Sequence, residues 1–281
     1  MRPVLLLIIL SFSAIAVCAQ GYVDILPDEV TKPYYSRRDS IITGAKTAKP
    51  NEWAGWYSID VGMTWSQRLL WAPDVGFAAF RDTCSNGPRA WVNHGRVSFD
   101  GRSLILLSDR QDSEQHLLEL DESELMPIKW DQQHWLVPRK DLALFAYAVN
   151  SRSGIEYEIG YLKDEDQDKR RQGAPNLPSE VKQLLKLAPI KVKVIAIDES
   201  KDDQFPLMTI NAGRDKGVIE GMSFWLTGQK SIDARVIVAE VGDQTSKVEI
   251  QSVGRTADFE KEVVPKVGWV LTSRSKNPNL F

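Results

Sequence analysis

The stretch Leu207–Leu226, LMTINAGRDKGVIEGMSFWL, constrains the fold more than any other part of the chain. An apolar run (Leu207, Met208, Ile210) enters Asn211-Ala-Gly213, a polar turn Arg214-Asp-Lys-Gly217 follows, and a second run, Met222-Ser-Phe-Trp225-Leu226, leaves it. Short apolar runs bounded by glycine turns predict strands rather than helices. The glycines are expected at positive φ, where only glycine is free of steric cost. A phosphate-binding reading of Gly213–Gly221 fails because the Gly-Lys-Ser/Thr ending is missing and a strand pattern, not a helix, comes next. This grammar predicts a small β-barrel and carries no residue set that performs chemistry.

The surrounding segments agree with it. Ser179 is predicted to open a short helix with Val181, Leu184, Leu185 and Leu187 on one side. Lys191–Ile197 reads as a strand with Val192, Val194 and Ala196 on one face and Ile195 and Ile197 on the other. Asp233–Val241, Ser246–Ile250 and Val267–Thr272 follow as further strands. Five or six strands with no intervening helix predict an all-β barrel or sandwich. The C-terminal domain is placed at 179–275, a short helix plus barrel.

Residues 52–162 form a second β pattern. Apolar runs at Leu69–Trp71 and Val75–Phe80 flank Pro73-Asp74. Asn93-His94-Gly95 reads as a turn. Asp100-Gly101 between two β runs predicts a two-residue type I′ hairpin. Ile128–Val137 continues the strands, Asp141–Val149 has helical periodicity, and Tyr157–Leu162 returns as a strand. The charged run at 163–178 is read as a linker, and 20–51 as an extended polar arm. The expected fold class is mainly β with two domains: an N-terminal β-rich sandwich or meander with one helix, and a C-terminal small β-barrel.

The N-terminus predicts export. Met1-Arg2 is a positive start, Pro3–Val17 is apolar, and Val17-Cys18-Ala19 places small residues before Gln20. That is the pattern of a signal peptide spanning 1–19, cleaved after Ala19. Periplasmic or secreted residence follows, with no stable membrane insertion after cleavage. Lipidation at Cys18 is the rival, disfavoured by Val17 directly before it. After cleavage Cys84 is the single cysteine, so no intrachain disulfide is expected. A formal net charge of -3 argues against a nucleic-acid partner; an envelope protein is the expected partner.

Candidate chemical residues are few. His94, His116 and His134 show no metal-ligand spacing, so neither a metal nor a cofactor is expected. Cys84 lacks a nucleophile signature and Ser85 lacks a GxSxG elbow. Asp121, Glu122 and Glu124 sit in a charged run that reads as a solvated loop. No catalytic residue is assigned. Nine tryptophans are many for 281 residues. Trp91, Trp130 and Trp135 are the candidate contacts for a sugar or peptide, against the alternative that they fill a core. If Trp130 and Trp135 share one regular strand, their spacing puts them on opposite faces. The expected function is therefore a non-catalytic accessory or structural protein-binding module, with a ligand-binding module or hydrolase in the first domain as the alternative. A hydrolase would require His94, His116, His134 and Cys84 to converge.

The run Thr209–Met222, with Ala234–Val241 and Ser246–Ile250, resembles the β-barrel of MreC and of the C-terminal domain of flagellar assembly protein T. The likeness covers residues 191–272 and implies a small barrel and an envelope setting.

Overall fold

The computed structural model describes residues 28–60, 65–83, 91–109, 124–152, 154, 156–198, 206–229, 232–255 and 264–274. The expected signal peptide, Cys84, His116, and the Asp121–Glu122 pair lie outside them. The chain is mainly β and forms two closed barrels. It divides into two units, the first comprising 1–140 and 157–176, the second 141–156 and 177–281.

The first barrel is an eight-stranded meander: β1 (Gly55–Asp60), β2 (Trp65–Ala72), β3 (Gly76–Thr83), β4 (Trp91–Phe99), β5 (Leu104–Ser108), β6 (Glu124–Trp130), β7 (Gln133–Pro138) and β8 (Tyr161–Lys163). It closes where Tyr57 and Ser58 of β1 pair with Lys163 and Leu162 of β8. A meander was expected; closure removes the sandwich alternative. Eight strands leave an interior that side chains can fill. Here Tyr57, Leu69, Trp71, Phe77, Leu104, Leu125, Leu136 and Tyr161 form that core.

Three local expectations fail for identifiable reasons. Asn93-His94-Gly95 is not a turn but the middle of β4. A Cβ on Gly95 would lie 2.1 Å from the Leu107 carbonyl oxygen, so this glycine serves close backbone approach rather than chain reversal. The Asp100-Gly101 hairpin exists, but its loop spans 100–103, with Phe99 opposite Leu104. Asp100 accepts from the Arg102 and Ser103 N–H groups through its side chain, and only Gly101 in this loop takes positive φ. The polar arm is not extended where it is described: Asp28–Ala45 is a helix, α1. Fully buried Ile41 packs with Ala78 and Phe80, backed by Ile42, Trp56 and Val75. One buried isoleucine in a polar sequence is too weak a periodic signal to read in advance.

Residues 163–176, expected as a linker, belong to the first barrel. Lys163 ends β8, and Asp164–Asp166 forms a 3₁₀ turn with Asp166 fully buried.

The second barrel orders its strands β10-β13-β12-β11-β14-β9, from β9 (Lys191–Asp198), β10 (Leu207–Ile210), β11 (Ser223–Thr227), β12 (Ile232–Val241), β13 (Ser246–Arg255) and β14 (Val270–Thr272). Val192, Met208, Ile210, Phe224, Val236, Val248 and Leu271 meet in its core. β9 contains a bulge: Thr209 pairs with Ala196 and Ile210 with Val194, leaving Ile195 unopposed. The extra residue reverses the alternation. Ile195 is exposed, opposite Val192 and Val194 as expected, but Ala196 is exposed too and Ile197 pairs with buried Met208, the reverse of the regular-strand expectation for those two.

The organising turn accounts for its glycines in two ways. Gly217 and Gly221 both take φ 77°. Gly213 does not; a Cβ there would lie 2.4 Å from the Gly242 oxygen. That close approach lets Arg214 N–H donate to Gly242 O and Asp215 N–H to Asp243 O, both at 3.0 Å. Gly213→Ala is expected to lower the second unit's stability by ~1–3 kcal/mol through overpacking against backbone that cannot yield, read as a fall in its urea midpoint.

The helix expected at Asp141–Val149 is present as α2 (Leu142–Ser151), but it belongs to the second unit. Tyr147 joins the second barrel's core and donates from its hydroxyl to Gly217 O at 2.6 Å. Tyr147→Phe should cost ~0.5–1.5 kcal/mol, the net worth of one such bond, and quicken amide exchange at Gly217 and Val218. Between α2 and β8 lies a one-turn helix, α3 (Glu156–Ile159); α4 (Ser179–Lys182) opens the segment leading into β9. No helix among the described residues is long and apolar enough to cross a membrane.

Candidate functional site

A polar cluster gathers at the end of the first barrel where β7 begins. Three elements build it: the turn before β1, the start of β7, and the 3₁₀ turn after β8. Asn51 Oδ1 accepts from Trp53 N–H, and Tyr57 OH donates to Trp53 O at 2.7 Å, which hold Trp53 against the barrel core. Trp53 meets the His134 ring edge-on, with centroids 4.8 Å apart.

His134 lies between two carboxylates. Its Nδ1 is 2.6 Å from Asp166 Oδ2, and its Nε2 is 3.8 Å from Glu52 Oε2. Asp166 Oδ2 also accepts the His134 backbone N–H at 2.7 Å, and Oδ1 faces Lys169 Nζ at 2.6 Å. Gln133 donates its amide to the carbonyls of Asp166 and Lys169, both at 3.1 Å. Lys163 donates to Glu52 O at 2.8 Å, tying the strand that closes the barrel to the turn before β1.

The electrostatics follow from burial and neighbours. Burial alone would raise the Asp166 pKa, but Lys169 and His134 outweigh it and hold the carboxyl below its usual range. Burial, then the charges of Asp166 and Glu165, push the Tyr57 phenol well above its usual value, so it stays a neutral donor. Glu52 is held low mainly by its bond to Lys129.

A carboxylate on Nδ1 fixes the orientation of an imidazole, as in general-base pairs. A nucleophile would have to meet Nε2, and that atom has no hydrogen-bond partner among the described residues. The cluster fastens the Asp164–Lys169 turn to β7. His94 lies elsewhere: on β4, opposite Ala78 of the α1-covered face, with Nδ1 3.0 Å from Asp109 Oδ2. The two described histidines do not converge. Among the described residues, no set of three His, Cys, Asp or Glu side chains could hold a metal ion.

The aromatic candidates are placed as follows. Trp91 opens β4 opposite Arg81; its side chain lies outside the described set. Trp130 and Trp135 sit on different strands, β6 and β7, joined by the Asp131–Gln132 turn. Ile128 faces Trp135 in register and Trp130 faces Gln133, so both indoles share one sheet face, with centroids 6.4 Å apart. The expected opposition fails because a hairpin turn, not one strand, separates them. Trp135 is fully buried against Tyr157. Trp130 donates Nε1 to Gly173 O at 3.0 Å, and the Arg171 guanidinium lies 4.5 Å from its ring centroid. Asn176 N–H donates to Lys129 O, and Gln172 N–H to Asp131 Oδ2. Trp130 thus holds Arg171 and Gly173 of its own chain, while Trp135 packs on Trp130 and Tyr157.

Sequence reasoning missed Asp166, Glu52 and Lys163. Asp166 is one acid in a run of ten charged or amide residues, Lys163–Gln172, and its only local mark is Lys169 three positions on.

No protein-family model, no curated protein and no solved structure matches the chain.

Proposed function

We propose that this chain is an exported, non-catalytic accessory protein of the bacterial envelope that binds another envelope protein through the outer walls of its barrels. The observation that carries the reading is the set of aliphatic side chains turned to solvent on barrels whose interiors are filled. Ile105 and Leu107 on β5 are 40% and 45% exposed, and Ile195, Val264 and Val267 of the second unit are 46%, 60% and 61% exposed. Ile105 and Leu107, two apart on β5, turn to solvent on one strand face, which favours a partner surface. Closed barrels offer few free strand edges, so recognition runs through side chains rather than strand addition. The likeness of Thr209–Met222 to the MreC and flagellar assembly protein T barrels supports an envelope setting, as does the predicted signal peptide.

Photo-crosslinkable residues placed at Leu107 and Val267 in the full chain test this reading in cells. A discrete adduct in the envelope fraction is expected from at least one position. A free monomer without adducts at either position sinks it. The alternative, a ligand module or hydrolase, draws support from the His134–Asp166 pair; it predicts that His134→Gln abolishes a hydrolytic activity of the purified protein.

A further inference from the structure

The second barrel takes part of its core from the middle of the first barrel's sequence. The chain leaves β7 at Pro138, makes one 3₁₀ turn (Arg139–Asp141), and enters α2. It returns through α3 to β8, which pairs with β7 at Trp135↔Leu162 and Leu136↔Tyr161. Both ends of α2 are thus held by the seam that closes the first barrel, while its side chains serve the second. Tyr147 bonds Gly217 O, Leu144 lies where a Cβ on Gly221 would fall 3.0 Å away, and Asn150 Nδ2 donates to Leu187 O.

We propose that α2 is a coupling element, making the closure of the β7–β8 seam and the stability of the Gly213–Met222 turn mutually dependent. The physical cause is effective concentration. With the seam closed, α2 is held near its ends by ordered strands. With the seam open, residues 152–176 become a flexible tether, and the concentration of α2 at its binding site falls with tether length. The reverse follows by linkage: undocking α2 makes 139–160 a slack loop, and closing β8 onto β1 and β7 costs more. Any partner that loosens one barrel is therefore registered by the other.

The test is urea unfolding of the full chain followed by amide exchange and mass spectrometry, which reports the two barrels separately. Leu136→Ala removes buried side chain from the first barrel, distant in sequence from the second barrel's strands. It is expected to raise the unfolded fraction of β9–β14 by ~3–10-fold at fixed urea, together with the larger rise in β1–β8. Leu144→Ala should do the reverse, quickening exchange at Leu136 and Leu162. A flexible Gly-Ser insertion after Arg152 should shrink both cross-effects while each barrel stays folded. If Leu136→Ala does not fold, Leu136→Val serves the same purpose. Loss of protection confined to the mutated barrel in both variants overturns the proposal, as does an insertion that leaves the cross-effects unchanged.

Discussion

Asp166→Ala is expected to lower the stability of the first barrel by ~3–5 kcal/mol, the cost of removing one partner from a buried, charged hydrogen-bonded set. The carboxylate is fully buried: Oδ2 accepts from the His134 backbone N–H and the His134 ring, and Oδ1 forms an ion pair with Lys169. Its removal leaves the two His134 donors buried without an acceptor, whereas Lys169, largely solvated, can return to water. The loss should appear as a lower urea midpoint for amides of β7 and β8 with an unchanged slope. Asp166→Asn separates charge from shape, because its oxygen can still accept one bond; it should recover part of the loss.

The same group sets a pH dependence whose sign is fixed. Asp166 titrates below its unfolded value, so the folded state favours the ionised form. Its contribution is full above the unfolded carboxyl value of about 3.9 and is lost as pH falls through the lower folded value. The wild type should therefore lose first-barrel stability steeply below about pH 4. Asp166→Ala should be flatter over that interval, since the unfolded-state proton uptake it removes no longer drives the transition. Equal steepness in wild type and variant would assign the acid limb to other carboxylates.

The fold was legible where the apolar pattern was both local and regular. The Leu207–Leu226 stretch places two strands and a turn because its glycines separate short apolar runs. The first barrel's strands at Leu69–Trp71 and Val75–Phe80 were legible for the same reason. What escaped depends on contacts distant in sequence. Gly95 looks like a turn glycine until Leu107 is brought against it. Ala196 and Ile197 exchange faces because β10 skips Ile195, and nothing local to β9 records that slip. Residues 163–176 look solvated because the side chains that hold them, Trp130 and Gln133, lie on another hairpin. The polar cluster escaped most fully. Glu52, His134 and Asp166 are each ordinary in their own neighbourhoods, and only barrel closure brings them together.

Trp135→Ala separates a packing role from a ligand-contact role. The indole is fully buried, stacks at a tilt on Tyr157 with centroids 5.1 Å apart, and donates Nε1 to Gln133 Oε1. Gln133 in turn holds the carbonyls of Asp166 and Lys169. Removing the ring leaves a large cavity and frees the glutamine that orients the Asp166 turn, so a loss of ~3–5 kcal/mol is expected. A tryptophan that met ligand would instead leave the urea midpoint near wild type when truncated. Trp130→Phe provides the scale: it keeps a ring beneath Arg171 but loses the bond to Gly173 O, and should cost only ~0.5–1.5 kcal/mol. Because the Trp130 and Trp135 rings pack on each other, the double variant should depart from additivity by ~0.5 kcal/mol or more. That coupling would identify the pair as one packed unit on the barrel wall, with Trp130 holding Arg171 and Gly173, which neither single loss could establish alone.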